Sequence, residues 1–257
     1  MGAVRDHGAM PEALHERYDR DEQRLVATAS QELWTDALLD VIVDIAAPIL
    51  ESASWRGVPK HAAPLWSERS TAMLSLAAMG LRATRTCALT VRAGYAAEAQ
   101  ADLRRLHEAA GHARLVALDT TGQYAENWLH GRGKAGKPRV AFGSASREDD
   151  GLWKLMSGQA HADFENYANL SATLDDDRRI IHNIGPRRDL LWDNILLWLA
   201  TRQFTTVLAC ILTVHAHIDQ SDFLGAAERV VAAEERLIAA MEAEVADPRE
   251  ARPAAGA

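Results

Sequence analysis

The sequence predicts an all-α fold, a bundle of about six to seven helices. Apolar residues recur at three- and four-residue spacings along most of the chain, and no segment alternates apolar and polar residues long enough to read as a strand. Glycines and prolines punctuate the periodic stretches at 57–64, 94, 131–146 and 185–186. The first stretch covers about residues 11–54 and is broken once; Trp34, Leu38, Leu39, Ile42, Ile45 and Ile49 form its core-facing stripe. A second helix, about 65–92, is rich in Ala, Leu and Met and closes at Gly94. The third, about 95–118, has a narrow apolar face of Tyr95, Ala99, Leu103, Leu106, Ala110, Ala113 and Ala117, whose small side chains let a neighbour come close. A short helix over 122–130 leads into a Gly- and Lys-rich loop ending near 146. A further helix starts at Asp149 or Asp150, carboxylates suited to a helix N-terminus, and runs to 174. Asp175, Asp176, Asp177, Arg178 and Arg179 read as the next connection. Two long helices follow, about 188–218, carrying Leu191, Ile195, Trp198, Leu199, Val207, Leu208, Ile211 and Leu212, and about 222–245, Ala-rich with many glutamates.

A chain of 257 residues with 48% hydrophobic and 25% charged content is that of an ordinary globular protein with a substantial core. One domain over 1–247 and a disordered tail over 248–257 are expected. The net charge of −8 argues against wholesale coating of nucleic acid and leaves only local basic patches. Cys87 and Cys210 have no metal-ligand spacing and lie in apolar stretches, which predicts buried thiols in a reducing compartment. The charged N-terminus lacks a signal-peptide core. The most apolar stretch, 190–218, contains Asp193, Arg202, Gln203 and two histidines, and its uninterrupted runs fall short of the ~20 residues of a membrane span. A cytoplasmic protein without a membrane segment or cofactor is expected.

Two polar pairs stand out, each four residues apart and so on one helix face: Arg104 with Glu108, and Ser157 with His161. The first reads either as a surface ion pair worth about 0.3–0.5 kcal/mol or, if its helix is covered on both sides, as a functional pair. Ala97, Ala101 and Leu115 lie on the pair's side and allow such covering. Trp153, Ala160 and Phe164 border the second pair, where His161 is either a satisfied core group or an acid/base oriented by Ser157. Glu108, His112, His161 and Glu165 could together supply two carboxylates and two imidazoles to a metal, although no Glu-x-x-His ligand motif is present. His107, Glu108 and His112 resemble a zinc-protease motif with one residue too many, which turns the second imidazole away. Gly131 to Lys137 matches most of a phosphate-binding loop, but Pro138 replaces the hydroxyl and no strand precedes it. Its Arg132, Lys134 and Lys137, with Arg139 and Arg147, form the clearest basic patch and the natural place for RNA phosphates. His215 and His217 do not share a helix face, and Arg178 to His182 reads as a helix-end or loop cluster.

Gly94, Glu98, Arg104 and Glu108, followed some fifty residues later by Trp153-x-x-x-Ser157-x-x-x-His161, resemble the motifs of a widespread bacterial all-helical family, the domain of unknown function 5677. The resemblance covers about residues 70–175 and implies that Gly94, Glu98, Arg104, Glu108, Ser157 and His161 are the marked positions. Trp153 stands where members often have tyrosine. Such families are compared with HEPN ribonucleases, which use an arginine and a histidine with four to six residues between them and no metal. Arg105 with His112, and Arg56 with His61, meet that spacing; Arg178 with His182 does not.

The reading that follows is a non-catalytic binding or interaction protein whose Arg104, Glu108, Ser157 and His161 form a buried cluster that fixes packing or holds a small ligand. The alternatives are an HEPN-like, metal-independent ribonuclease of a defence or toxin system and a carboxylate–histidine metal enzyme. The Ala-rich 228–244 face suits a helix–helix contact, so a homodimer is an expected option.

Overall fold

The computed structural model describes residues 14–53, 67–131, 172–174, 180–182, 186–216 and 218–246. Seven helices lie among them, as expected for an all-α bundle: α1 (Leu14–Glu32), α2 (Asp36–Ala53), α3 (Glu68–Arg92), α4 (Ala96–Leu118), α5 (Gln123–Leu129), α6 (Leu190–Val214) and α7 (Ser221–Ala246). The expected break in the first stretch falls at Leu33–Trp34–Thr35. There the Asn194 side-chain oxygen accepts from Thr35 N at 3.0 Å and from its hydroxyl at 2.8 Å, anchoring the α1–α2 corner to α6.

The central layer is α3, α4 and α6. A Cβ added at Gly80 of α3 would stand 3.4 Å from Phe204 and 3.5 Å from Leu106, so the three helices converge where Gly80 lacks a side chain. Ala99, Leu103, Leu106, Ala110 and Ala113 of α4 are buried as the periodicity requires, and so are Leu39, Ile42 and Ile49 of α2. Helices α2 and α7 close the other side of α6, where Trp198 Nε1 donates to Val230 O at 3.1 Å. Helix α6 is the one described helix long and apolar enough to cross a membrane. Since 72% of that window is buried within the fold, it is the core helix of the bundle.

Local chemistry sets the ends. Ser67 caps α3 by accepting from Ser70 N at 3.2 Å, and Asp189 caps α6 by accepting from Trp192 N at 3.0 Å. Between α3 and α4 the bonds Tyr95 N→Thr90 O (3.0 Å) and Gly94 N→Val91 O (2.9 Å) form a Schellman turn. It needs positive φ at Gly94, which is +88°. A side chain there is also excluded by space, because a Cβ would lie 2.5 Å from Leu25 Cδ1 and 2.8 Å from Arg187 N.

One element departs from expectation. Ala172–Leu174 and Ile180–His182 are two short antiparallel strands, β1 and β2, pairing Ala172 with His182 and Leu174 with Ile180. The expected helix therefore does not reach Leu174, and the Arg178–His182 cluster enters a strand rather than a helix end. β-Branched Thr173, Ile180 and Ile181 favour extended backbone, and three residues are too few to show as alternation in the sequence.

Candidate functional site

Helix α4 is covered over much of its circumference: along its length only Glu98, Arg105 and Leu118 are exposed, and one side, with Ala97, Ala101, Arg104, Glu108 and His112, is half-buried. The narrow apolar face alone does not account for this, since Gln100 and His107, on a different side, are also buried. The Gln100 amide is fully buried, and neither its nitrogen nor its oxygen has a hydrogen-bond partner among the described residues. Next to this stripe run Arg104, Glu108 and His112, successive turns of one helix line.

Arg104 Nε donates to Glu108 Oε1 at 3.4 Å, with the two side chains 25% and 40% exposed. The pair is therefore half-buried, not enclosed, and an ion pair so placed adds only about 0.3–0.5 kcal/mol to stability. One turn on, His112 Nδ1 lies 2.7 Å from the Tyr124 hydroxyl, and its ring centroid is 6.0 Å from that of Trp128. Burial lowers the His112 pKa, and the nearby Glu108 carboxylate offsets part of that shift. Burial pushes the Tyr124 phenol up to about 12, so the hydroxyl keeps its proton at neutral pH. A neutral imidazole then accepts from the phenol, or donates to it in the other tautomer.

The loop after α4 places Tyr124. Asp119 accepts from the Thr121 hydroxyl, from Tyr124 N at 2.6 Å and from Thr121 N at 2.9 Å, and these bonds, the hydroxyl's first, hold its carboxyl below the usual carboxylate range. Gly122 takes φ +79°, which starts α5 at the angle that brings Tyr124 and Trp128 back over α4. Arg69 of α3 donates to Val116 O at 3.0 Å and to Ala117 O, satisfying carbonyls at the C-terminal end of α4.

Of the marked positions, Gly94 is the Schellman glycine and Glu98 an exposed acid in the first turn of α4, complementing the helix dipole. Arg104 and Glu108 are brought together. Trp153, Ser157, His161 and Glu165 lie outside the described residues, as do Arg56, His61, the basic patch from Arg132 to Arg147, and Arg178. Arg105 points to solvent and pairs with Asp102 at 3.1 Å. His107 is buried while His112 is half-buried against Tyr124, so the two imidazoles diverge as the spacing predicted. Among the described residues no group of three His, Cys, Asp or Glu side chains could hold a metal ion. Cys87 and Cys210 are buried free thiols, pushed by burial to about 12 and about 11.

A second polar centre escaped the sequence reading. Arg188 uses all five of its N–H donors: to Glu32 Oε2 (3.1 Å), Asp193 Oδ2 (3.0 Å), Leu25 O (2.7 Å), Val91 O (3.1 Å) and Arg92 O (3.1 Å). Beside it, Arg92 holds Asp36 at 2.8 Å and Asp40 at 3.1 Å. Asp193 is wholly buried, and burial raises its carboxyl to about 6 although Arg188 pulls the other way. The available signal was an Asp–Asn pair inside the most apolar helix, a place where unpaired polar groups are not tolerated.

The chain matches no family model, no curated protein and no solved structure.

Proposed function

We propose that this chain is a non-catalytic helical binding protein whose Gln100–Arg104 stretch of α4 recognises a small ligand. The observation that carries the reading is the buried Gln100 amide, lacking a partner among the described residues, one turn from Arg104 on the same helix. An unsatisfied buried amide costs about 1–3 kcal/mol, and a ligand's hydrogen-bonding group at that place would remove the cost. Gln100 and Arg104, one turn apart, offer an amide and a guanidinium; His112, two turns beyond Arg104, packs with Tyr124 and Trp128. That donor set suits a small anionic, hydrogen-bonding molecule. The imidazole and carboxylate are already engaged, His112 with Tyr124 and Glu108 with Arg104, which fits recognition and packing better than proton transfer. Ser157 and His161, outside the described residues, remain candidates by the motif resemblance alone, and the buried thiols suit a reducing, cytoplasmic setting.

The test is an RNA-cleavage assay on wild type and His161→Ala, each with and without EDTA. No cleavage is the expected result. Cleavage that resists EDTA but is lost in His161→Ala would replace this reading with the HEPN-like ribonuclease, RNA being guided by Arg132, Lys134, Lys137 and Arg139. Cleavage lost to EDTA would instead favour the metal set of Glu108, His112, His161 and Glu165.

A further inference from the structure

Helix α7 carries two apolar stripes. Phe223, Ala226, Val230, Ala233 and Leu237 are buried against the bundle. Directly beside them Leu224, Val231 and Ile238 recur every seven residues, 55%, 64% and 49% exposed, with Met241 extending the row at 46%. Three large apolar side chains seven residues apart, with Met241 three beyond the last, keep one exposed line facing the same way over four turns, as one half of a heptad seam does. Along the outer flank of this seam runs a second seven-residue repeat, the exposed Glu228, Glu235 and Glu242. Glu242 and Glu244 also fall in the last two turns of α7, where the helix dipole is already negative, and the last turn holds no basic residue. The inner flank is held by the bundle itself, where Glu234 pairs with Arg202 at 3.5 Å.

We propose that the Leu224–Val231–Ile238 seam docks a basic amphipathic helix of another protein, its apolar stripe on the seam and its Lys or Arg row along Glu228, Glu235 and Glu242. Charge decides against a second copy. Laid antiparallel on this seam, a second α7 would set glutamate row against glutamate row; a basic helix pairs with that row and relieves the acidic C-terminal end.

The experiment uses the full chain and two synthetic amphipathic peptides of three heptads each, one of leucine and lysine, the other of leucine and glutamate. Binding is followed by fluorescence anisotropy at low and physiological salt, and self-association by sedimentation equilibrium. The leucine–lysine peptide is expected to bind, more weakly as salt rises, and the leucine–glutamate peptide to fail. Glu228→Gln/Glu235→Gln/Glu242→Gln should weaken binding about tenfold, the sum of three surface charge pairs. Val231→Glu should weaken it at least as much. That variant makes the surface more acidic, so its loss of binding identifies the apolar seam and not general charge attraction. Equal binding of both peptides, binding of neither, or unchanged binding by Val231→Glu would overturn the proposal. Self-association of wild type that Val231→Glu abolishes would overturn it in favour of a second copy.

Discussion

Arg188 offers the sharpest test of how this bundle is held together. Its guanidinium ties the end of α1, the α3–α4 turn and the start of α6 through Leu25 O, Val91 O, Arg92 O, Glu32 and Asp193. Arg188→Met keeps much of the stem's packing and removes every one of these bonds. The Asp193 carboxylate, wholly buried, then loses its only cation at 3.0 Å among the described residues. Breaking one half of a buried pair costs about 3–5 kcal/mol, a large part of the roughly 5–15 kcal/mol that a domain has. With a urea slope of about 2–3 kcal/mol per molar, the unfolding midpoint should fall by about 1–2 M. Asp193→Leu added to Arg188→Met removes the stranded carboxylate, so the double variant should recover at least about 1 kcal/mol of the loss. The reasoning fails if Arg188→Met lies within about 1 kcal/mol of wild type. It fails equally if the second substitution lowers stability further, because the penalty would then not come from an orphaned charge.

Three further outcomes follow from the same geometry. Asp193 has a folded pKa of about 6 against the 3.8 of an ordinary aspartate, so its contribution to stability is most favourable below about 4 and declines as pH rises to about 6. Against Asp193→Asn, wild type should therefore lose about 3 kcal/mol across that window, measured by urea titrations at several pH values; a flat difference would refute it. Gly94→Ala puts an L side chain at φ +88° and its Cβ 2.8 Å from the Arg187 backbone nitrogen, so it should cost more than the ~1–2 kcal/mol of the conformation alone. A neutral result in calorimetry would show that the α3–α4 turn relaxes. His112 should titrate below an ordinary histidine in NMR, and Glu108→Gln should lower it further by removing the carboxylate that raises it. The neutral imidazole is favoured by the fold, so His112 costs stability as pH falls through about 6.5; an upward shift in Glu108→Gln would contradict the assignment.

The helices were legible because each buries one stripe, and a stripe of period 3.6 shows in one dimension. The end of α3 at Gly94 and the span of α4 follow from such local signals; a break in the first stretch was expected without a position, and Trp34, read as part of the helical stripe, lies in it. The two strands did not show, since their pairing depends on residues of each segment meeting across the connection, and three residues carry no period. Arg188 was illegible for a related reason. It precedes α6, so no i,i+4 partner announces it, and its acceptors come from three places far apart in sequence. Covering of α4 on both sides was allowed by Ala97, Ala101 and Leu115, but the burial of Gln100 and His107 on a further face depends on what packs there, which periodicity does not encode. The Arg104–Glu108 pair was correctly placed on one face; its half-exposure depends on neighbours in the fold. The His112–Tyr124 bond was missed because α5 folds back over α4 only through the Asp119 turn.

Gln100 separates a recognition role from a packing role. Its side chain is fully buried, and its amide atoms have no hydrogen-bond partner among the described residues. If the residue were there for the fold, a leucine of nearly the same volume would serve better, because an orphaned amide costs about 1–3 kcal/mol while buried hydrocarbon stabilises. Gln100→Leu should therefore raise stability by about 1 kcal/mol or more in urea unfolding of the ligand-free chain. Residues that cost stability where an apolar one would fit belong to sites selected for binding rather than for folding. A loss of stability in Gln100→Leu would mean that the amide is already satisfied, and would remove the main support for a ligand beside Arg104. A gain would make Gln100 and Arg104 the pair from which to search for that ligand, starting with small anions carrying a hydrogen-bonding group.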